Sequence, residues 1–170
     1  MDFLDLAKER YSCRSLLCKK IDKQLIDKII EAGMVAPTAV NRQAFKIWHM
    51  DSPEAKERIK EVTRFDFNAD TFLVVGAKMD EAWIRKYDGK NFGEVDAAIV
   101  ATHMMLEIQN LGLRTTWVGH FNAPKLKELC PKMKDYELIA ILPIGYEAED
   151  GGPSERHNIR KSYDEVVSVL

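Results

Sequence analysis

Residues 94–119 read EVDAAIVATHMMLEIQNLGLRTTWVG, and this stretch decides the fold. Glu94 to Leu111 predicts one long helix. Ala97, Ala98, Ile99, Val100, Ala101, Met104, Met105, Leu106 and Ile108 nearly encircle it, so it must be covered on most sides. Asp96, His103 and Glu107 interrupt the apolar surface, which suits burial in protein better than burial in lipid. Gly112 supplies the stop, because glycine accepts the left-handed backbone that closes a helix. Thr115 to Gly119 then predicts an extended segment. In a chain of 170 residues, a helix this apolar implies a partner subunit over one side.

Working outward, Thr71 to Ala77 is an uninterrupted apolar run of strand length and predicts a buried strand. Phe45 to Met50 reads as extended. Ser52 and Pro53 form the cap and first position of a helix to about Val62. Asp22 caps another helix, with the stripe Leu25, Ile26, Ile29 and Ile30, and this helix must end before Pro37. Asp2 to Arg10 predicts a short helix, and Arg10 to Lys20 a polar connector. Met79 to Phe92 has no regular period. Downstream, Asn122 and Pro124 start a short helix to Cys130, and Leu138 to Tyr146 predicts a further strand. A polar loop covers Glu147 to Arg156, and Tyr163, Val166, Val167 and Leu170 suit a closing helical turn. Strands and helices do not alternate strictly. The pattern points to an α+β architecture in one domain over 1–170, not to a doubly wound parallel sheet.

Composition narrows the function. Apolar residues make up 46% and the net charge is -2, so there is core to bury and no basic footprint for nucleic acid or an anionic membrane. The start, MDFLDLAKER, lacks a signal-peptide core, and no apolar run is long enough to span a bilayer. A cytoplasmic protein is expected, with Cys13, Cys18 and Cys130 as reduced thiols. His49, His103, His120 and His157 lack metal-ligand spacing, so no metal is expected. Phosphate-loop, dinucleotide-fold and nucleophile-elbow motifs are all absent.

Three constellations remain. Arg10-Tyr11-Ser12-Cys13-Arg14 places two guanidiniums and a hydroxyl at alternate positions after a helix. Alternate residues of an extended segment face one way, so Arg10, Ser12 and Arg14 can converge on one anion, and arginine suits phosphate. The competing reading is a surface pair with Asp5 or Glu9. Pro37, Thr38, Ala39, Asn41 and Gln43 form a loop whose small residues admit a ligand and whose amides can read a planar heterocycle. An ordinary polar loop is the competing reading. Thr115-Thr116-Trp117-Val118-Gly119 and Leu142-Pro143-Ile144-Gly145 each end in a glycine, against which a flat ring could lie. Arg160 and Lys161 add a late basic pair.

In this order, these elements resemble the FMN-dependent nitroreductase family over nearly the whole chain. The family's R-x-S-x-R is matched by Arg10, Ser12 and Arg14. Its A-P-[ST]-A-x-N-x-Q is matched by Ala36 to Gln43, and its G-L-G-T-x-W-x-G by Gly112 to Gly119. The closing P-x-G-Y is matched at Pro143 to Tyr146, and the late R-K at Arg160 and Lys161. The chain is most similar to short, clostridial-type members, which carry a stretch like Trp83 to Asn91. It departs from the pattern at Ala44-Phe45, where Pro-Trp is usual, and at Arg114, where glycine is common.

The resemblance implies a central, mostly antiparallel sheet flanked by helices, in a homodimer with FMN at the interface. It implies that Arg10, Tyr11, Ser12 and Arg14, with Arg160 and Lys161, hold the phosphate and ribityl end. Pro37, Thr38, Ala39 and Asn41 would come from the partner chain, and Gln43 would approach the ring. Trp117, Val118 and Gly119 would line one side, with Asn68 at a ring edge. The implied chemistry is ping-pong hydride transfer: NADH or NADPH reduces flavin N5, and an electron-poor small molecule such as a nitroaromatic or quinone reoxidises it. No catalytic side chain is required. Trp83, Tyr87 and Phe92 could form a lid. Three rival readings remain: another acceptor such as an enone or halogenated aromatic, a flavin carrier or sensor without turnover, and an α+β dimer without cofactor.

Overall fold

The computed structural model describes residues 2–170. Helix α1 (Phe3–Glu9) opens at Asp2, whose carboxylate accepts from the Leu4 N–H. Helix α2 (Lys23–Met34) is capped the same way by Asp22 and ends before Pro37. Helix α3 (Pro53–Val62) begins on Ser52, whose side chain accepts from the Ala55 N–H. Helix α5 (Ala123–Leu129) begins on Asn122, and α6 (Tyr163–Val166) carries a Ser162–Glu165 capping box. Each cap satisfies an amide that the first helical turn leaves without an internal partner.

Strands β1 (Leu16–Leu17), β2 (Phe45–Met50), β3 (Thr71–Ala77), β4 (Arg114–Thr115) and β5 (Glu137–Glu147) form one sheet in the order β1-β5-β3-β2. Strand β4 lies beside the later part of β5. All these pairings are antiparallel, as expected. Every residue of β3 is buried, because the strand is central and covered on both faces. Leu73, Val75 and Ala77 face the core under α2 and α4 (Gly93–Asn110), while Phe72 and Val74 face the core under α3 and α5. An irregularity opposite Val75 and Gly76 lets β5 change phase, so that Leu138 joins one core while Ala140 and Leu142 join the other. Fully burying side chains such as Phe72 or Leu142 stabilises by about 1.5–3 kcal/mol each.

Helix α4 is the central element of the larger core. It ends as the sequence predicts: Gly112 takes φ 73°, the Leu113 N–H donates to the Ile108 carbonyl, and the Gly112 N–H to the Gln109 carbonyl. The helix is not covered all round within one chain. Val95 and Thr102 are exposed, and Ala98, Ile99, His103 and Leu106 are half-buried. The His103 Nδ1 contacts the Ile99 carbonyl at 3.0 Å, one turn back on its own helix.

Two segments differ from expectation. The extended run Thr115 to Gly119 is shorter, because regular pairing stops at Thr115 and resumes only as a single bridge between Val118 and Ile141. The polar connector Arg10 to Lys20 contains β1, held by the Leu16 N–H to the Phe67 carbonyl at 3.1 Å. No described helix is long and apolar enough to cross a membrane.

Candidate active site

The chain leaves α1 extended at Arg10 and runs beside β4. The Cys13 N–H donates to the Thr115 carbonyl at 3.1 Å and Cys13 is fully buried, which turns the adjacent Ser12 and Arg14 outward. Arg10, Tyr11, Ser12 and Arg14 then line one open cavity of about 240 Å³ together with Ser154, Arg156, His157 and Arg160. Of its four guanidiniums, Arg14 donates to the Ser12 carbonyl at 3.2 Å and Arg160 to the Ile159 and His157 carbonyls. Among the described residues, none of the four is paired with a carboxylate. The surface-pair reading with Asp5 or Glu9 therefore fails. Burial, and then the nearby Arg160, lower the Arg10 guanidinium below its ordinary pKa. Like charges gathered without counter-charge are what an anion would relieve.

Neighbouring contacts hold this wall in place. The His157 Nε2–H donates to the Lys8 carbonyl at 3.1 Å, pinning the C-terminal segment to α1. Its ring meets Tyr11 edge-on at 6.0 Å. The Tyr11 hydroxyl donates to Glu147 and accepts from Arg114 Nε at 3.0 Å, and Arg114 lies 3.3 Å from Glu147. Burial and the Glu147 carboxylate raise the Tyr11 pKa. Tyr11 thus offers the cavity its ring, while its hydroxyl is committed to Arg114, the residue standing where glycine is common.

A second cavity of about 220 Å³ shares Arg14 with the first and is lined by Phe65, Phe67, Trp117, Val118, Gly119 and His120. Val118 is locked by reciprocal backbone bonds of 3.0 Å with Ile141. At Gly119 a Cβ would come no nearer than 3.6 Å to its neighbours, so the backbone there is open to a ligand.

The 37–43 loop lies elsewhere and lines neither cavity. Val40, Asn41 and Gln43 all take positive φ (47°, 56° and 52°). The loop is clipped twice: the Ala39 N–H donates to Asp96 Oδ1 at 3.0 Å, and the Gln43 N–H to Thr38 Oγ1 at 3.0 Å. Gln43 borders a separate cavity with Met34 and Phe45. Asn68 donates to the Leu16 carbonyl at 3.0 Å and secures β1. Lys161 is exposed and lines neither cavity.

The nitroreductase family model matches residues 7–67 and 63–146. The chain belongs to the nitroreductase family. A nitroreductase-family protein of Clostridium difficile 630 is 34% identical, with a TM-score of 0.91 over 99% of this chain and 98% of its own. A protein of Methanothermobacter thermautotrophicus, provisionally named an NADH dehydrogenase/NAD(P)H nitroreductase, is 26% identical over 89% of this chain and 81% of its own length. A protein of Exiguobacterium sibiricum 255-15, provisionally a nitroreductase and solved in complex with FMN, shares the fold. It has a TM-score of 0.86 at 20% identity, over 100% of this chain and 98% of its own.

In this nitroreductase-family chain the structure brings Arg10, Tyr11, Ser12, Arg14 and Arg160 together, and joins Trp117, Val118 and Gly119 to Arg14. Sequence reasoning missed Arg156 and His157, although R-H-x-x-R at 156–160 is the only basic cluster in an otherwise polar, acidic tail loop. It also missed Phe65 and Phe67, stacked at 5.9 Å. The two cavities offer cations, aromatic faces and open backbone. Among the described residues no serine or cysteine side chain is hydrogen-bonded to a histidine.

Proposed function

We propose that this chain is an NAD(P)H-dependent FMN oxidoreductase that acts as a homodimer in the cytoplasm on nitroaromatic, quinone or similar electron-poor small molecules. One observation carries the reading: four guanidiniums and Ser12 face one cavity without a carboxylate partner, beside a second cavity with aromatic walls. The donor set fits a phosphate monoester, which arginine grips through paired N–H groups. The open backbone at Gly119 fits a flat ring.

Bound FMN would supply the redox chemistry, two-electron exchange between a nicotinamide and the acceptor. The chain's residues bind and orient. Arg10, Ser12, Arg14 and Arg160 hold the phosphate, with Arg156 and His157 on the same wall. Trp117, Val118 and Gly119 support the ring. Pro37, Thr38, Ala39 and Asn41 reach it from the partner chain, with Gln43 nearby, which accounts for their distance from the phosphate cavity within one chain. The open face of α4, from Val95 to Leu106, is the surface the partner covers. Lys161 and Asn68 take supporting roles at the edge.

Anaerobic stopped-flow tests the reading. FMN-loaded protein should be bleached by NADH or NADPH and recoloured by a nitroaromatic or a quinone. Failure of both nicotinamides to bleach it would remove the enzyme assignment.

A further inference from the structure

Asp96 is an expensive residue where it stands. It is 1% exposed in the first turn of α4, and Oδ2 has no hydrogen-bond partner. A buried polar atom left without a partner costs about as much as a lost hydrogen bond. The other oxygen, Oδ1, accepts the Ala39 N–H at 3.0 Å, 57 residues away in sequence. The Asp96 N–H in turn donates to the Phe92 carbonyl at 2.8 Å, fixing the start of the helix.

What Oδ1 holds is a strained loop. Three non-glycine residues within four positions take positive φ, and Val40, which is β-branched, is a pronounced outlier at 47°. Such backbone persists only where surroundings over-determine it. Two side-chain bonds do so here: Asp96 at Ala39, and Thr38 at Gln43. Asn41 stands between these clips and Gln43 at the second, both exposed.

We infer that Asp96 is a positioning residue: its buried carboxylate, bonded to the Ala39 amide, holds the 38–43 loop in the one shape that presents Asn41 and Gln43 to the flavin ring. The inference rests on the proposed FMN site. It assigns Asp96 no contact with phosphate, because the guanidinium cavity is built from other segments.

The test uses the full chain and its D96L and D96N variants, with FMN binding read by fluorescence quenching and inorganic phosphate binding by phosphorus NMR. In D96L the buried unpartnered oxygen is gone, so the apoprotein melts no lower than the original. Its phosphate affinity is unchanged, and its FMN affinity falls about tenfold or more, equivalent to about 1.4 kcal/mol. D96N keeps an oxygen for the Ala39 N–H and binds FMN within about threefold of the original. The inference is overturned if D96L binds FMN as the original does, if phosphate affinity falls in parallel, or if D96N is as weak as D96L. Should D96L not fold, D96A, which also lacks the acceptor for the Ala39 N–H, must give the same split, and unchanged FMN affinity in D96A overturns the inference. Failure of the original chain to take up FMN would bring down the functional reading and this inference together. FMN binding in the original that survives unchanged in D96L brings down the inference alone.

Discussion

Replacing Arg10 by glutamine should separate FMN from riboflavin. Arg10 is half-buried, has no carboxylate partner, and sits near Arg160 in a cavity with two further guanidiniums. A hydrogen bond to a charged group is worth about 1.5–3 kcal/mol. Losing one to the phosphate therefore predicts a Kd about 10–150-fold weaker. The apoprotein should not suffer. Arg10→Gln removes a like charge that burial and Arg160 already disfavour, so its melting temperature should stay level or rise. The assay is fluorescence quenching of FMN and of riboflavin, each at low and high salt. Riboflavin lacks the phosphate, so its affinity should be the same for both proteins. Arg14, Arg156 and Arg160 are exposed, so added salt should weaken FMN binding and leave riboflavin unaffected. Equal weakening of both ligands, or an unchanged FMN affinity, would refute the assignment of this cavity to phosphate.

Further outcomes follow from other parts of the molecule. Gly119→Ala should fold normally, since a Cβ there meets nothing closer than 3.6 Å, yet bind FMN less tightly, as titration of both proteins would show. Gly33→Ala should destabilise by about 1–3 kcal/mol in urea, less the gain in helix propensity, because the new Cβ would sit 2.9 Å from Met104 where α2 crosses α4. Val95→Arg, on the open face of α4, should leave the melting curve of a single chain unchanged but convert the particle to monomers in sedimentation. In acid, the Ser162 amide signal should shift as Glu165 protonates. Hydrogen bonds from the Ser162 backbone and side chain lower the Glu165 pKa, so the cap is fully formed above 4.5 and is lost as pH falls through the depressed value.

Much of this was legible in the chain. The limits of β3 follow from its continuous apolar run, and the helix starts at Asp22, Ser52 and Asn122 from capping chemistry that acts within a few residues. The convergence of Arg10, Ser12 and Arg14 was readable because an extended segment has period two. What was not legible depended on distant contacts. β1 exists because Phe67 and Glu147 come alongside it, and two residues of sequence carry no period. Arg156 and His157 reach the cavity only because the tail folds back onto Lys8, 149 residues from His157 in sequence. The tie between Asn68 and Leu16 was not legible either, because the carbonyl that accepts from the Asn68 amide lies 52 residues away. Asp96 was visible as an interruption in an apolar helix, and only the fold shows that it grips Ala39.

Sedimentation velocity recorded at the flavin's own absorption tests the central claim most directly. With FMN supplied to the apoprotein, the account predicts that the colour travels in a single boundary with the mass of two 19.5 kDa chains. Colour left behind as free flavin, or moving with a single chain, would contradict it.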